Sequence, residues 1–247
     1  MENIKRRSAF ILAAGLGTRL KELTSDRPKA LVEMNGKPLL EIVIENLISQ
    51  NFNHFVINVH HFGDKIIDFI ANKHYDNVEI EISDERDFLY YTGGAILKAL
   101  PFFDKSEAVL IHNVDIFSDV DFQQYYDDFV RSDDAAWLLT QNRNNNSKVV
   151  FDEQDRFHGT YNIQTEEYDG DGEFKECYKL LSFSGLHLIK PKYFSDFELK
   201  KCHVWSLYKD IAKVNNVKSV MIQPDYWFDL GTQEQLKEVS EWIKRRL

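Results

Sequence analysis

Residues 8–14 read SAFILAA, and residues 15–19 follow directly as GLGTR. A short apolar run that stops at glycines is the pattern of a strand buried in a parallel sheet. Glycine at positions 15 and 17 permits positive φ and lets the main chain come close to a ligand. Main-chain N–H groups in such a loop can cradle phosphate oxygens. Arg19 and Lys29 set cations at the two ends of the loop. GxxxxGK[ST] is absent and the third glycine of GxGxxG is missing, so the loop is neither a P-loop nor a full dinucleotide fingerprint. Two glycines alone suit a plain strand-to-helix turn equally well.

The chain outward from this loop alternates. Apolar spacing predicts helices over 39–50, 65–72, 93–100 and 122–131. Strands are expected at 54–59, 78–83 and 108–111. Strand and helix in turn imply an α/β fold, a doubly wound, mostly parallel, Rossmann-like sheet. After residue 131 the pattern becomes β-rich, with strands expected at 136–140, 148–152, 157–162 and 178–189. Polar turns such as NRNNNS and YDGDG separate them. A last helix is expected over 233–246. The chain therefore reads as one domain over 1–247 with two halves, 1–131 and a smaller β-rich half, 132–247.

A length of 247 residues is enough to bury a core without disulfides. The formal net charge of −10 argues against nucleic acid or a membrane surface as partner, since both are polyanions. A phosphate site in such a chain must gather positive charge locally. Cys177 and Cys202 form no CxxC pair and are too few for a disulfide framework, which points to a reducing cytoplasm. The start, MENIKRRSAF, lacks the apolar core of a signal peptide. No apolar run reaches the ~18 residues of a membrane span.

The full string from Leu12 to Glu41, LAAGLGTRLKELTSDRPKALVEMNGKPLLE, resembles the signature of the sugar-phosphate nucleotidyltransferases. VINVHHFGDKI (56–66), YTGGAILKALP (91–101), HNVDIFSDVDF (112–122), FSGLHLI (183–189) and YWFDLGTQEQL (226–236) resemble further family segments, in family order. The resemblance is strongest to the short single-domain members that act on N-acetylmuramate, mannose and heptose 1-phosphates. It implies a GT-A-like nucleotidyltransferase fold with a sugar-binding second half. It also implies a reaction: a nucleotidyl group passes from an NTP to a sugar 1-phosphate, pyrophosphate leaves, and Mg²⁺ assists.

By the same resemblance each site residue has an expected role. Arg19 binds the β- and γ-phosphates, where its planar fork suits phosphate. Lys29 lies against the α-phosphate and the incoming sugar phosphate. Asp115 and Asp229 hold the metal, as two hard carboxylates suit Mg²⁺. Leu12, Ala13, Ala14, Gly15, Gly17 and Thr18, with Thr92, Gly93 and Asn113, receive the nucleotide. Ser184 and Gly185 face the sugar, although a Ser-Gly pair in a strand is more often a packing site. Taken alone, Asp115 reads as a turn or cap residue. An N-cap role for Asp229 is less apt, because Thr232 is better placed for it.

Three features depart from the family pattern. Val114 stands where the family places glycine, Tyr91 where it places glutamate, and no segment supplies an extra sugar-phosphate lysine, with Lys148 the nearest substitute. Two other functions compete. A GT-A glycosyltransferase would carry a DxD motif, and Asp119 to Asp121 read DVD, but after the strand-end Asp115. A non-catalytic nucleotide-sugar binder would not need Arg19, Lys29, Asp115 and Asp229 together. His54, His60 and His61 make a poor metal set, because His60 and His61 point to opposite faces of any strand.

Overall fold

The computed structural model describes residues 6–246. The opening apolar run forms β1 (Ser8–Leu12). The segment expected as open loop is instead wound into 3₁₀ turns, Thr18–Thr24 and Lys29–Leu31. Leu20 is fully buried, and the Thr24 hydroxyl donates to Gly17 O at 3.1 Å, which together close that winding. A small hairpin of β2 (Glu33–Met34) and β3 (Lys37–Pro38) turns through Asn35 and Gly36, both at positive φ. It leads into α1 (Leu39–Ser49), which buries Leu39, Leu40, Val43, Ile44 and Leu47 at helical spacing.

The chain continues through β4 (His54–Val59), α2 (Gly63–Ala71), β5 (Glu79–Asp84) and α3 (Tyr91–Ala99). Helix α3 starts earlier than its apolar spacing suggests, because Tyr91 turns the chain into it at φ 60°. Then come β6 (Val109–Asn113), β7 (Ile116–Ser118) and α4 (Phe122–Arg131). The remainder holds β8 (Ala136–Gln141), β9 (Ser147–Phe151), β10 (Phe157–Asn162), β11 (Glu167–Gly170) and β12 (Lys179–Ile189). It ends with α5 (Val204–Ala212), β13 (Val217–Met221), β14 (Trp227–Asp229) and α6 (Gln233–Lys244).

The short strands β2, β3, β7 and β14, with β11, α5 and β13, lie outside the sequence expectation. The YDGDG segment was expected as a turn, yet its first part forms β11 by pairing with β10, Gly159 opposite Gly170. A Cβ at Gly159 would lie 2.3 Å from Asp169 O, so only glycine allows that approach. Helix α5 and β13 are short, and their periodicity is too brief to register. β13 is held by parallel pairing with β8.

The chain forms two compact units: residues 1–89, 112–123 and 224–247, and residues 90–111 with 124–223. In the first, β1, β4 and β5 run parallel, with Leu12 opposite Asn58 and His54 opposite Glu79. Their long apolar runs match burial on both faces. A core of Leu20, Val32, Met34, Leu39, Leu230, Leu236 and Val239 joins the loop after β1 to the last helix. In the second, β9, β10 and β11 form an antiparallel meander. The long β12 pairs with both β9 and β8. It bulges between Phe183 and His187, where Gly185 has φ 81°.

Of the three histidines buried among the described residues, His112 in the first unit and His187 in the second are the most strongly shifted. Burial pushes the His112 imidazole down to about 4 and that of His187 down to about 3. Both are neutral when folded and bind a proton more readily when unfolded, so stability is full above pH ~6.5 and falls as pH drops toward 4. Each histidine adds about 1.4 kcal/mol of loss per pH unit across that window. Urea midpoints measured at pH 7, 6 and 5 should decline steadily, and a His187→Gln variant should decline less steeply.

Candidate active site

Lys29 is placed by the 3₁₀ turn that follows Pro28, and it is buried with 7% of its surface exposed. Its ammonium forms an ion pair with the Asp115 carboxylate, whose side chain is also mostly buried. Gly17 makes room for the lysine stem. A Cβ at Gly17 would lie 3.1 Å from Lys29 Cβ and 2.9 Å from Thr24 Cγ2, and its φ is +65°. Both facts require glycine there.

Asp115 lies in the turn between β6 and β7. Val114, just before it, is buried, and its N–H donates to Leu12 O at 3.3 Å, so the β1 end and the Asp115 turn are tied together. Asp115 O accepts from Leu230 N at 2.8 Å, and β7 pairs antiparallel with β14, Ile116 opposite Asp229. Main chain at Asp115 and at Asp229, 114 positions apart in the sequence, is thus joined by hydrogen bonds. Thr232 caps α6, its hydroxyl accepting from Gln235 N at 3.2 Å, so Asp229 has no capping duty.

Asp229 Oδ1 is buried and has no hydrogen-bond partner among the described residues. A buried carboxylate oxygen without a partner is costly and calls for a cation. Arg19 is near: a Cβ placed on Gly231 would meet Arg19 Nη2 at 2.6 Å and Asp229 Oδ1 at 2.7 Å. Among the described residues Arg19 is exposed and makes no ion pair. No group of three or more acidic, histidine or cysteine side chains gathers among the described residues. Two carboxylates, one of them unpartnered, fit a hard divalent cation that takes oxygen ligands and keeps several waters.

The rest of the loop is arranged around these groups. Ala13 and Ala14 are buried, Leu12 is half-buried, and Gly15 and Thr18 are exposed. Nothing lies within 4 Å of where a Gly15 Cβ would be, which leaves that main chain open to a ligand. Asn113 ends β6 half-buried, and its carbonyl accepts from His112 Nδ1–H at 2.8 Å. Leu12, Ala13, Ala14, Gly15, Gly17, Thr18, Arg19, Lys29, Asn113, Asp115 and Asp229 all belong to the first unit.

The remaining candidates belong to the second unit. Thr92 Oγ1 accepts from Val204 N at 3.1 Å, and Gly93 N donates to Cys202 O at 3.0 Å, so the start of α3 is bound to the start of α5. Tyr91 stacks on His203 with ring centroids 4.6 Å apart. Ser184 is fully buried, and its hydroxyl donates to Leu139 O at 2.7 Å. That hydroxyl is committed to the sheet. Lys148 is equally committed, donating to Arg143 O at 2.5 Å and Ser182 Oγ at 2.9 Å, and burial lowers its pKa.

Asp119 and Asp121 have structural work. Asp119 Oδ1 accepts from Tyr226 N at 3.1 Å, and Asp121 Oδ1 accepts from Gln123 N at 3.0 Å at the start of α4. This DVD is not a metal motif. His54 is bonded to Ser8 Oγ at 2.8 Å and to Glu81 at 2.9 Å, while His60 is bonded to Glu85 O. Sequence reasoning missed Asn58, Glu85 and Gly231, which shape the site from behind. The one available signal was an asparagine inside the apolar run HFVINV.

Comparison with known proteins identifies the family. The sequence model of the nucleotidyl transferase family matches residues 8–156. An N-acetylmuramate alpha-1-phosphate uridylyltransferase of Caulobacter vibrioides is 30% identical, over 90% of this chain and 91% of its own. A D-glycero-alpha-D-manno-heptose 1-phosphate guanylyltransferase of Campylobacter jejuni is 29% identical, over 92% of this chain and 95% of its own. The solved structure of a putative glucose-1-phosphate thymidylyltransferase from Bacillus anthracis superposes with a TM-score of 0.78 at 16% identity, over 98% of this chain and 96% of that one. Sequence match and fold coincide over nearly the whole chain, and this protein belongs to the nucleotidyl transferase family of enzymes.

Proposed function

We propose that this enzyme joins a sugar 1-phosphate to a nucleoside triphosphate, giving a nucleotide sugar and pyrophosphate, in the cytoplasm and with Mg²⁺. The observation that carries the reading is the buried Lys29–Asp115 pair beside the unpartnered Asp229 carboxylate and Arg19. Two anions must be brought together for in-line attack on the α-phosphorus, so the protein's work is positioning and charge compensation. Lys29 supplies a fixed cation where the two phosphates meet. Arg19 holds the outer phosphates through its two-pronged guanidinium. Asp115 and Asp229 would hold the metal, which when bound offsets phosphate charge. The loop from Leu12 to Thr18, with Asn113, receives the nucleotide.

Both uridylyl and guanylyl transfer are supported, because relatives of nearly equal identity carry out each. Pyrophosphate release should be measured with Mg²⁺ across the four NTPs and dTTP against mannose, glucose, N-acetylglucosamine, N-acetylmuramate and heptose 1-phosphates. One strongly active combination is expected. Transfer of a sugar from a nucleotide sugar, with no pyrophosphate formed, would replace this reading with a glycosyltransferase.

Gly231 offers a narrower test. A methyl group there would press on the Arg19 guanidinium and the Asp229 carboxylate. Arg19 is the far end of a flexible side chain and can swing away, so Gly231→Ala should fold normally. Its KM for the NTP should rise about 10-fold through the displaced guanidinium. An unchanged KM would remove Arg19 from the triphosphate site.

A further inference from the structure

Asn58 is the penultimate residue of β4, a strand that is buried along its whole length. At 3% exposure, an amide side chain is costly there unless its polar atoms are bonded. Its Oδ1 accepts from Ala13 N at 2.7 Å and from Ala14 N at 3.2 Å. Its Nδ2 donates to Glu85 Oε1 at 2.9 Å. Glu85, at 1% exposure, is anchored by its main chain: its N donates to Val59 O at 2.8 Å, and its O accepts from His60 Nδ1–H at 2.6 Å. Leu12 and Asn58 are the last paired residues of β1 and β4. Just beyond them, the amides of Ala13 and Ala14 lose the strand ladder and find Asn58 instead.

We propose that Asn58 and Glu85 are positioning residues for the nucleotide. Together they hold Ala13 and Ala14 in one conformation, so that Gly15 to Thr18 meets the NTP without first being ordered. The proposal rests on the reading above that this loop receives the NTP. A loop already in its bound shape avoids an entropic cost on binding, so weakening the brace acts on nucleotide affinity. It leaves the acceptor sugar phosphate and the turnover step largely alone.

A reciprocal exchange of side chains tests this. Asn58→Asp keeps an acceptor for the two amides, removes the donor to Glu85, and sets two buried carboxyl groups against each other. KM for the NTP is expected to rise about 10–100-fold as the competent loop becomes a minor population. KM for the acceptor and kcat are expected to stay within about 3-fold. Adding Glu85→Gln supplies an amide donor to the new carboxylate, and KM for the NTP should return to within about 3-fold of wild type. Glu85→Gln alone keeps an acceptor for the Asn58 amide and should raise KM for the NTP less than Asn58→Asp does. Amide hydrogen exchange at Ala13 and Ala14 should quicken in Asn58→Asp and slow again in the double variant.

An unchanged NTP KM in Asn58→Asp overturns the proposal. So does a loss shared equally by both KM values and kcat that the second substitution does not rescue, since that is plain structural damage. Should the wild-type enzyme release no pyrophosphate from any pair, the reading of the reaction fails. The brace is then decided by the exchange rates and by the Kd of the nucleotide from calorimetry. If Asn58→Asp does not fold, Asn58→Ser, which retains one acceptor, is put through the same comparison.

Discussion

Lys29→Ala is expected to lower kcat/KM for pyrophosphate release by about 10³-fold, the order of loss seen when one fixed charge is taken from a phosphoryl or oxyanion site. The reason is geometric. Lys29 is buried, its stem lies against Gly17 and its ammonium is paired with Asp115, so that charge is fixed before substrate arrives. Such a charge need not reorganise when negative charge develops, and it acts where water is scarce. Its loss also leaves Asp115 without its ion-pair partner, so the Tm should fall by several degrees. Lys29→Arg should restore part of the stability and little of the activity, since a longer, planar head does not fit the same slot. Steady-state assays at saturating Mg²⁺, run beside thermal melts, separate the two effects. Activity within 3-fold of wild type in Lys29→Ala would remove the lysine from the reaction.

The two carboxylates should respond in opposite directions. Asp115→Asn removes the partner of a buried lysine and should both inactivate and destabilise the enzyme. Asp229→Asn removes the charge from a half-buried carboxylate whose Oδ1 is buried without a hydrogen-bond partner among the described residues, so in metal-free buffer it should melt at or above the wild-type temperature. Its turnover should nonetheless fall by about 10²-fold or more if it shares the metal. Adding Mg²⁺ without substrate should raise the wild-type Tm, by mass action on the folded state, and should not raise that of Asp229→Asn. A magnesium response equal in both proteins would place the ion elsewhere. This comparison needs no turnover, so it stays informative if the correct sugar phosphate has not been found.

Val114 and Tyr91, where the chain departs from its family's pattern, are accommodated by packing. Val114 turns its side chain into the core while its N–H bonds to Leu12 O. Tyr91 takes φ 60° and lays its ring on His203, while Lys201 Nζ lies 4.4 Å from the ring centroid. A tyrosine at positive φ is strained. The stack and the neighbouring cation offset that cost.

What the sequence alone determined was what is local. Strand β4 and helix α4 have the limits that their apolar residues predict, because burial on both faces of a strand selects a near-continuous apolar run and burial on one face of a helix selects every third and fourth position. The glycine loop after β1 was legible for a similar reason, since positive φ at Gly17 restricts the residue itself. The family resemblance supplied Lys29, Asp115 and Asp229 as candidates, but nothing in their spacing says that they meet. Tertiary structure decided that, through the Leu230 to Asp115 hydrogen bond and the pairing of β7 with β14. It also decided that Ser184 and Lys148 face inward, because a strand's alternation shows two faces without showing which is covered. Asn58 and Glu85 belong to the same class: each is one polar residue in a strand or turn, and only the fold brings them behind the loop. Hydrogen bonds between residues far apart in sequence leave no period to read, and here they shape the site.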